Sequence, residues 1–361
     1  MAIRFFPIQV PSIAALALAA MLAWPASLFA QSESDNLVAR FIALYNAGNY
    51  EEAVPVAQRL LALQEKARGP EHPDVATAAN NLAGLYRALG RLPDAEPLYR
   101  RTLAIREKAL GPEHPDVGTA LNNLAALQHQ QGRYEPAEQL YKRAIAIREK
   151  ALGADNPQLA ASLGNLASLY QSLSRYNDAE PLYKRALAID EKALGPEHPT
   201  VANSLEGLAF VYRGQQRVDE VEPLFKRSLA IREKAFGQNH PAVVHSLNSL
   251  AAFYRDQGRH GDAEPLFKRV IVISETLGPD HPGVATALNN LAVLYQETGR
   301  PKDAEPLHTR ALAIREKAYG TEHPYVAVSL TNLAELYRTL GRQADGDAMA
   351  ARAQAIRDKQ K

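Results

Sequence analysis

Hydrophobic and polar positions between residues 73 and 110 follow the spacing of two helices. In the first helix, apolar residues fall at i, i+3, i+4 and i+7, namely Ala79, Leu82, Ala83 and Tyr86, which predicts one buried helical face. The sequence His72-Pro73-Asp74 is typical of a helix N-terminus, and the turn at Gly90 is typical of a C-terminus. The pattern therefore predicts a helix, helix A, between these two signals.

A second helix, helix B, is predicted from about Pro93 to Ala109, before Gly111. Its inward-facing residues are Ala95, Leu98, Tyr99, Leu103 and Ile105. A glutamate and a basic residue recur four positions apart in helix B, and each such pair contributes about 0.3 kcal/mol. The pairs are Glu96 with Arg100, Glu138 with Lys142, Glu180 with Lys184, Glu222 with Lys226, and Glu264 with Lys268.

This two-helix unit is repeated along the chain. A histidine precedes the proline of each unit at His72, His114, His198, His240, His281 and His323, with Asn156 in its place once. The period is 42 residues, apart from one step of 41 that a deletion before Gly278 explains. Such a period predicts one array over residues 31–361, with about eight helix pairs that start near residues 35, 72, 114, 156, 198, 240, 281 and 323. The last helix carries Gln354 at a position that is apolar elsewhere, so we expect it to be the polar end of a complete array.

The first thirty residues differ from the rest. Arg4 is their one charged residue, Ile13 to Trp24 are apolar, and Ala30 precedes a polar stretch that begins at Gln31. This pattern predicts a signal peptide, residues 1–30, with cleavage near Ala30 and Gln31. An uncleaved anchor is the alternative, but the apolar run is shorter than the roughly 20 residues that span a bilayer. We therefore expect a periplasmic or secreted protein without stable membrane insertion, and the absence of cysteine favours a bacterial periplasm.

Charge and motifs narrow the possible functions. Removing Arg4 with the signal leaves 40 basic and 40 acidic residues, whereas a nucleic-acid-binding protein needs a basic surface, so we expect no nucleic acid partner. Phosphate-binding loops, zinc-protease motifs and serine-hydrolase motifs are absent. The repeated histidines do not predict a metal site, because stacked repeats lie about 10 Å apart and zinc ligands lie about 2 Å from one ion. The sequence thus predicts no enzyme and no cofactor, and helix caps or hydrogen bonds between repeats as the role of these histidines.

Four segments carry a family resemblance. Residues Leu166–Tyr170, Gly132–Tyr134 and Ala179–Leu187 resemble the tetratricopeptide repeat, and Arg106–Pro115 between two units resembles the kinesin light chain subtype. The resemblance implies an all-α, right-handed superhelical solenoid that binds protein or peptide. Kinesin light chains also have an N-terminal heptad region, and nothing similar is present here, so we expect a relative in fold and not a motor subunit.

The resemblance implies that helix A lines a concave groove. On a helical wheel, Asn80, Gly84 and Arg87 lie opposite the apolar stripe. Asparagine amides suit the main chain of an extended peptide, and arginines suit carboxylates. The candidate peptide-binding residues are Asn80, Arg87, Asn122, His129, Gln171, Arg213, Asn248, Arg255, Asn289 and Arg338. For the arginines, a solvated face or a salt bridge between repeats is the alternative. For the neighbouring Asn81, Asn123, Asn165, Asn290 and Asn332, we expect hydrogen bonds between helices.

The ligand predicted for this groove is a short acidic segment near the middle units. Glu206, Asp256, Glu297 and Glu335 interrupt the basic face and would repel a long polyanion. The alternative function is a self-assembling envelope component, in which one array end stacks on another copy. The partner and the oligomeric state are not encoded in any motif.

Overall fold

The structure is a computed structural model that describes residues 28–359. The chain divides between Gly195 and Pro196 into two compact units. Unit 1 contains α1 (Leu28–Asn46), α2 (Tyr50–Arg68), α3 (Pro73–Ala88), α4 (Leu92–Leu110), α5 (Pro115–Gln130), α6 (Tyr134–Leu152), α7 (Pro157–Ser172) and α8 (Tyr176–Leu194). Unit 2 contains α9 (Pro199–Gly214), α10 (Val221–Phe236), α11 (Val244–Asp256), α12 (His260–Glu275), α13 (Pro282–Glu297), α14 (Pro301–Tyr319), α15 (Pro324–Thr339) and α16 (Gln343–Asp358).

Odd-numbered helices are the A helices and even-numbered helices are the B helices. Within each unit, an A helix packs against its own B helix, and that B helix packs against the next A helix. Two short 3-10 turns, Val218–Glu220 and Pro241–Val243, precede α10 and α11. The described residues form no strand, so the predicted all-α class with consecutive helix-turn-helix pairs is confirmed.

The repeated histidines are helix caps. The imidazole Nδ1 of each accepts a hydrogen bond from the backbone N–H two residues later, at 3.1 to 3.3 Å. Asn156 Oδ1 does the same for the N–H of Gln158 at 2.8 Å. Each cap supplies a partner to an N–H that the helix itself leaves unpaired, which confirms the predicted capping role.

The core of each repeat is the predicted apolar stripe plus positions that the stripe did not include. Ala79, Ala83 and Ala95 are fully buried, and Tyr99 is 2% exposed. Leu85 is also fully buried, because two B helices contact each internal A helix and widen its buried face. The small alanines allow close helix packing, which fits the Ala-rich composition.

The predicted glutamate–basic pairs of helix B are confirmed, with N–O distances of 2.7 to 2.8 Å. The one-residue deletion is accommodated at the end of α12, which stops at Glu275 after 16 residues, whereas α4 has 19. Most turns between the A and B helices have glycine in the left-handed region, such as Gly90 with φ of 73°. Ser174 and Gln216 take that place in repeats four and five, with φ of 57° and 63°, a strained conformation for a residue with a side chain.

The C-terminal helix α16 has the features of the end of an array. Gln354 in α16 is exposed, as predicted for a terminal helix. Gly346 allows α16 to approach α15 closely, since an added Cβ would lie 2.9 Å from the Ala334 carbonyl oxygen. The predicted signal peptide lies outside the described residues except for its last three, which belong to α1.

Candidate functional site

The candidate binding surface is a set of A-helix positions, called here the A face. It consists of the positions of Asn80, Gly84 and Arg87 in α3 and their equivalents in the later A helices. These are Asn122, Ala126 and His129; Gly164, Ser168 and Gln171; Glu206, Phe210 and Arg213; Asn248, Ala252 and Arg255; Asn289, Val293 and Gln296; and Thr331, Glu335 and Arg338. Among the candidate residues, Arg87 and Asn122 are buried, Arg338 is exposed, and the others are half-buried.

Asparagine side chains link successive A helices. Asn123 donates from Nδ2 to Asn80 Oδ1 at 2.8 Å, and Asn165 donates to Asn122 Oδ1 at 3.1 Å. In unit 2, Asn290 donates to Asn248 at 3.2 Å, and Asn332 donates to Asn289. The predicted bonding role is therefore confirmed for Asn123, Asn165, Asn290 and Asn332, whereas Asn81 forms no such bond among residues 28–359. Their acceptors on the A face have used the side-chain oxygen, so what they can still offer a ligand is mainly the amide N–H.

The arginines of unit 2 already hold carboxylates. Arg213 forms an ion pair with Asp256. Arg255 pairs with Asp256 at 3.0 Å and approaches Glu297 at 3.7 Å, and Arg338 pairs with Asp347 at 2.9 Å. Two of the acidic residues expected to repel a ligand, Asp256 and Glu297, thus approach Arg213 and Arg255 instead. This geometry disfavours an acidic segment at the middle repeats.

Arg87 has a different environment in unit 1. It is 9% exposed, and its Nε has no hydrogen-bond partner among residues 28–359. Its charge acts on tyrosines: burial raises the pKa of Tyr99, and a hydrogen bond and the positive charge of Arg87 oppose that rise. Burial likewise raises the pKa of Tyr45 to about 12, against the charge of Arg87.

His129 and Gln171 complete the A face of unit 1 with neutral groups. His129 Nε2 lies 3.0 Å from Ser172 Oγ, and burial lowers the pKa of this histidine to about 4, so the imidazole is neutral at pH 7. Gln171 Oε1 accepts a hydrogen bond from the Tyr183 hydroxyl at 3.2 Å. Arg87 is thus the charged candidate residue of unit 1.

Sequence reasoning missed a buried network in unit 2. Glu206 is 3% exposed, and its carboxylate contacts Arg232 at 3.2 Å and His245 at 3.0 Å. Ser228 and Ser246 donate to the other carboxylate oxygen at 2.7 and 2.5 Å. Burial alone would raise the pKa of Glu206, but the His245 hydrogen bond and the Arg232 charge hold it at about 2. The signal in the sequence was the glutamate itself, which interrupts the series of asparagines at this position.

A second irregularity lies in α8. Asp190 occupies the position where Arg106, Arg148, Arg232 and Arg315 stand in other B helices. It is 3% exposed, its Oδ1 has no hydrogen-bond partner among the described residues, and burial raises its pKa to about 6. The acidic residue at a position that is arginine in most other B helices could have marked it in the sequence.

The outer charges of the B helices are engaged in links between repeats. Arginines of one B helix pair with glutamates of the preceding B helix at 2.5 to 2.7 Å. Arginines at the A-to-B turns pair with the glutamates of the preceding B helix at 2.5 to 3.0 Å. These charges link successive repeats within each unit, and each exposed pair contributes little because water screens it.

The described residues give little support for a small-molecule pocket or a metal site. An open hollow of about 590 Å³ in unit 2 is lined by Glu222, Lys226, Phe253 and Arg259, but Glu222 is already paired with both basic residues. In the part of the chain that the structure describes, no three acidic or histidine side chains converge as metal ligands. Across residues 28–359, no helix combines the length and apolar character needed to cross a bilayer.

Similarity to known proteins agrees with this architecture. The tetratricopeptide repeat pattern matches seven overlapping segments, residues 41–108, 74–150, 141–192, 158–234, 200–275, 242–317 and 303–359. The chain belongs to the tetratricopeptide repeat family. Its repeats are of the kinesin light chain type, as the resemblance implied.

Two solved structures share both fold and sequence similarity with this tetratricopeptide repeat protein. A kinesin light chain-type protein of Podosopora anserina with nearly identical TPR-like repeats is 29% identical, with a TM-score of 0.50 over 57% of this chain and 98% of that one. BtubC (BKLC) of P. vanneervenii is 26% identical, with a TM-score of 0.51 over 64% and 90% of the two chains. The apo quorum sensor NprR of B. thuringiensis shares the fold alone, at 13% identity and a TM-score of 0.64 over 90% and 87%. No curated protein matches the chain.

Proposed function

We propose that this protein is a non-catalytic scaffold whose A faces bind a segment of a partner protein. The family is one of protein-interaction scaffolds, and the similar structures include one of a quorum sensor. Binding in a concave groove is the finer part of the proposal, and the A faces are the surfaces that would form it.

The observation that carries this proposal is the contrast between constant and variable positions in one chain. The helix caps, the alanine core and the charged links between B helices recur from repeat to repeat. The position of Gly84, by contrast, changes in successive A helices to Ala126, Ser168, Phe210, Ala252, Val293 and Glu335. A constant frame that presents a different side chain at each step suits an irregular ligand such as a peptide.

The asparagines would fix the main chain of that peptide. Since the links between A helices use the Oδ1 atoms of Asn80, Asn122, Asn248 and Asn289, we expect their Nδ2 groups to donate to peptide carbonyls. A neutral hydrogen bond of this kind contributes about 1 kcal/mol, so several together would be needed for useful affinity.

The proposal is tested by affinity capture from an envelope extract, followed by titration of the captured protein. Asn80→Ala and Asn248→Ala should each weaken binding about fivefold at every salt concentration, since a neutral bond is little screened. Lys142→Ala and Lys268→Ala, on the outer side of B helices, are the matched controls. Equal affinity of the asparagine variants and the parent, with a loss in the lysine variants, would move the site to the B helices.

We also propose export to the periplasm through residues 1–30. Arg4, the apolar run and the small-residue exit support it. Cleavage after Ala30 would shorten α1 by three residues. Mass spectrometry of the protein from a periplasmic fraction should give a chain that starts near Gln31, and an intact Met1 would refute cleavage.

A further inference from the structure

We infer that the joint between repeats five and six, within unit 2, is a contact surface for a second copy of this chain. The surface, called here the joint patch, consists of Phe236, Asn239, Val272, Thr276 and Leu277. These residues lie at the end of α10, in the turn that follows it, and at the end of α12. The joint patch contains no A-face residue, so this contact is separate from the proposed binding of a partner segment.

The joint patch holds the three most exposed large apolar side chains among residues 28–359. Val272 is 62% exposed, Leu277 is 51% exposed and Phe236 is 44% exposed. Val272 is also unusual for its position, because the equivalent residues of α4, α6, α8, α10 and α14 are alanines, namely Ala104, Ala146, Ala188, Ala230 and Ala313. Large apolar side chains that are gathered in one exposed place are typical of a protein contact surface.

Contacts within unit 2 bring the two halves of the joint patch together. Arg269, Val272 and Thr276 lie at i, i+3 and i+7, on one face of α12. Arg269 donates hydrogen bonds to the backbone carbonyl oxygen of Gln238 and to Glu233 Oε1. This face of α12 therefore lies against the end of α10 and the turn that follows it.

The joint patch lacks a pair of charges that six other repeats carry. In those repeats, a lysine at the end of the B helix pairs with an acid in the turn before the A helix. The pairs are Lys108 with Glu71, Lys150 with Glu113, Lys192 with Asp155, Lys234 with Glu197, Lys317 with Asp280, and Lys359 with Glu322. In repeat six, Asn239 stands at the acid position and Thr276 at the lysine position. Covering this joint therefore removes no ion pair from water, which is the step that makes a charged surface costly to bury.

The Phe236 side chain is held in place before any contact forms. Its ring stacks on the imidazole of His240, with centroids 5.4 Å apart and planes 20° apart. His240 is itself fixed, because its Nδ1 accepts a hydrogen bond from the Ala242 N–H at 3.1 Å. An aromatic side chain that is already fixed loses little conformational freedom on binding, so Phe236 suits the centre of a contact.

The charges beside the joint patch favour a second copy as the partner. The pair of Lys234 and Glu197 lies in the repeat before it, and the pair of Lys317 and Asp280 lies in the repeat after it. Both flanks thus carry one positive and one negative charge, and the centre carries none. A strongly charged partner would gain nothing from such a surface, whereas an identical surface matches it: an apolar centre with a polar rim is the usual composition of a protein interface.

Two-fold symmetry gives the arrangement of the two copies. When the arrays run antiparallel, Phe236 of one copy faces Leu277 of the other, and each charged flank faces the opposite flank of its partner. Three apolar side chains per copy form a small centre compared with the roughly 800 Å² that each partner buries in a stable complex. We therefore expect a weak dimer that forms reversibly at high protein concentration.

Sedimentation velocity of the purified full chain, from about 1 μM to about 1 mM, should show this dimer, since the range covers weak association. Leu277→Lys places a charge at the apolar centre, and Asn239→Glu combined with Thr276→Lys restores the pair of the other repeats. Each change should raise the dissociation constant at least about tenfold. Leu110→Lys, at the equivalent exposed helix end of unit 1, is the matched control and should leave the constant unchanged.

Disulfide crosslinking identifies the surface independently. The chain contains no cysteine, so a single introduced cysteine can pair only with its copy in another molecule. Thr276→Cys lies near the two-fold axis, where the two thiols would come within reach of each other. Mild oxidation should link this variant into a covalent dimer. Thr309→Cys, on the exposed outer side of α14, is the control and should remain largely monomeric.

Any of four results would overturn this assignment. They are a parent chain that stays monomeric over the whole range, dimers of Leu277→Lys and of the charge-restoring variant as tight as the parent dimer, an equal loss in Leu110→Lys, or equal crosslinking of the two cysteine variants. Thermal unfolding checks that each variant is folded, and the charge-restoring variant decides if Leu277→Lys does not fold. Because no substituted residue belongs to an A face, such a failure leaves the asparagine test of the A faces unaffected.

Discussion

Repeat two of unit 1 and repeat five of unit 2 have the same helix pair and opposite chemistry on the A face. Arg87 lies beside Gly84 and Tyr99 without a carboxylate, whereas Arg213 lies beside Phe210 and pairs with Asp256. One backbone register can thus give an arginine a carboxylate partner or leave it without one. The difference is made by a few side chains, of which Gln130 in place of an acid is the decisive one.

The comparison assigns a structural role to the charges of unit 2, and the largest expected effect follows from removing one. Glu206→Gln leaves Arg232 and His245 without their buried carboxylate, so we expect the free energy of unfolding to fall by about 3 kcal/mol. Glu335→Gln, at an exposed A-face position, is the control and should change it by less than about 0.5 kcal/mol. Urea unfolding at pH 7 measures both, and equal effects would show that the network is not structural.

The same network predicts a loss of stability in acid. The pKa of Glu206 is held at about 2 in the fold, below its ordinary 4.5. A lowered carboxyl pKa contributes stability that is present above the ordinary value and is lost as pH falls through the folded value. The difference between the parent and Glu206→Gln should therefore shrink as pH falls from about 4.5 to about 2, and a constant difference would contradict this origin.

Asp190 should give the opposite pH dependence in unit 1. Burial raises its pKa from 3.8 to about 6, so the folded state binds the proton more tightly and stability falls as pH rises from about 4 to about 6. Asp190→Asn should remove that fall and make the protein about 2 kcal/mol more stable than the parent at pH 8. Asp178→Asn, an exposed change in the same helix, is the control. Thermal unfolding at several pH values from 4 to 8 measures this difference. If the stability of parent and variant changes with pH in the same way, burial does not raise the pKa of Asp190.

Removing the carboxylate beside Arg213, or adding one beside Arg87, should each change the free energy of unfolding by about 1 kcal/mol. Asp256→Asn removes the partner of both Arg213 and Arg255, so unfolding should become easier by about that amount. Gln130→Asp should give Arg87 a partner and stabilise unit 1 by about the same amount. Calorimetry measures the stability of the two variants. A destabilised Gln130→Asp would contradict the view that Arg87 lacks a counter-ion.

The smallest expected effect concerns the turn of repeat four. Ser174 has φ of 57° where equivalent turns have glycine, so Ser174→Gly should raise stability by about 0.5 kcal/mol through relief of steric strain. Ser172→Gly, inside the last turn of α7, should lower it by a similar amount. Chemical unfolding measures both, and the same sign for the two variants would refute the argument from φ.

Sequence reasoning predicted the repeats because they are local and periodic. His72 marks a helix start, and the spacing from Ala79 to Tyr86 marks the buried face in any tertiary context. Whether each A-face arginine has a carboxylate partner could not be predicted in the same way. Arg87 and Arg213 look alike in the sequence, and only residues 43 positions away determine which one is paired. The buried Glu206 was read as a groove charge for the same reason, since its partner Arg232 is 26 positions distant.

Site-specific photo-crosslinking tests the central claim, that the A faces bind the partner, most directly. A photoreactive phenylalanine analogue would be placed at the exposed Ala88 and Thr286, which lie beside the A-face residues Arg87 and Asn289 in α3 and α13. The exposed Ala104 and Ala313 of B helices would serve as control positions. Irradiation with the captured and purified partner should give crosslinks from Ala88 and Thr286 and none from the two B-helix positions. Crosslinks that arise from Ala104 and Ala313 instead would contradict the account.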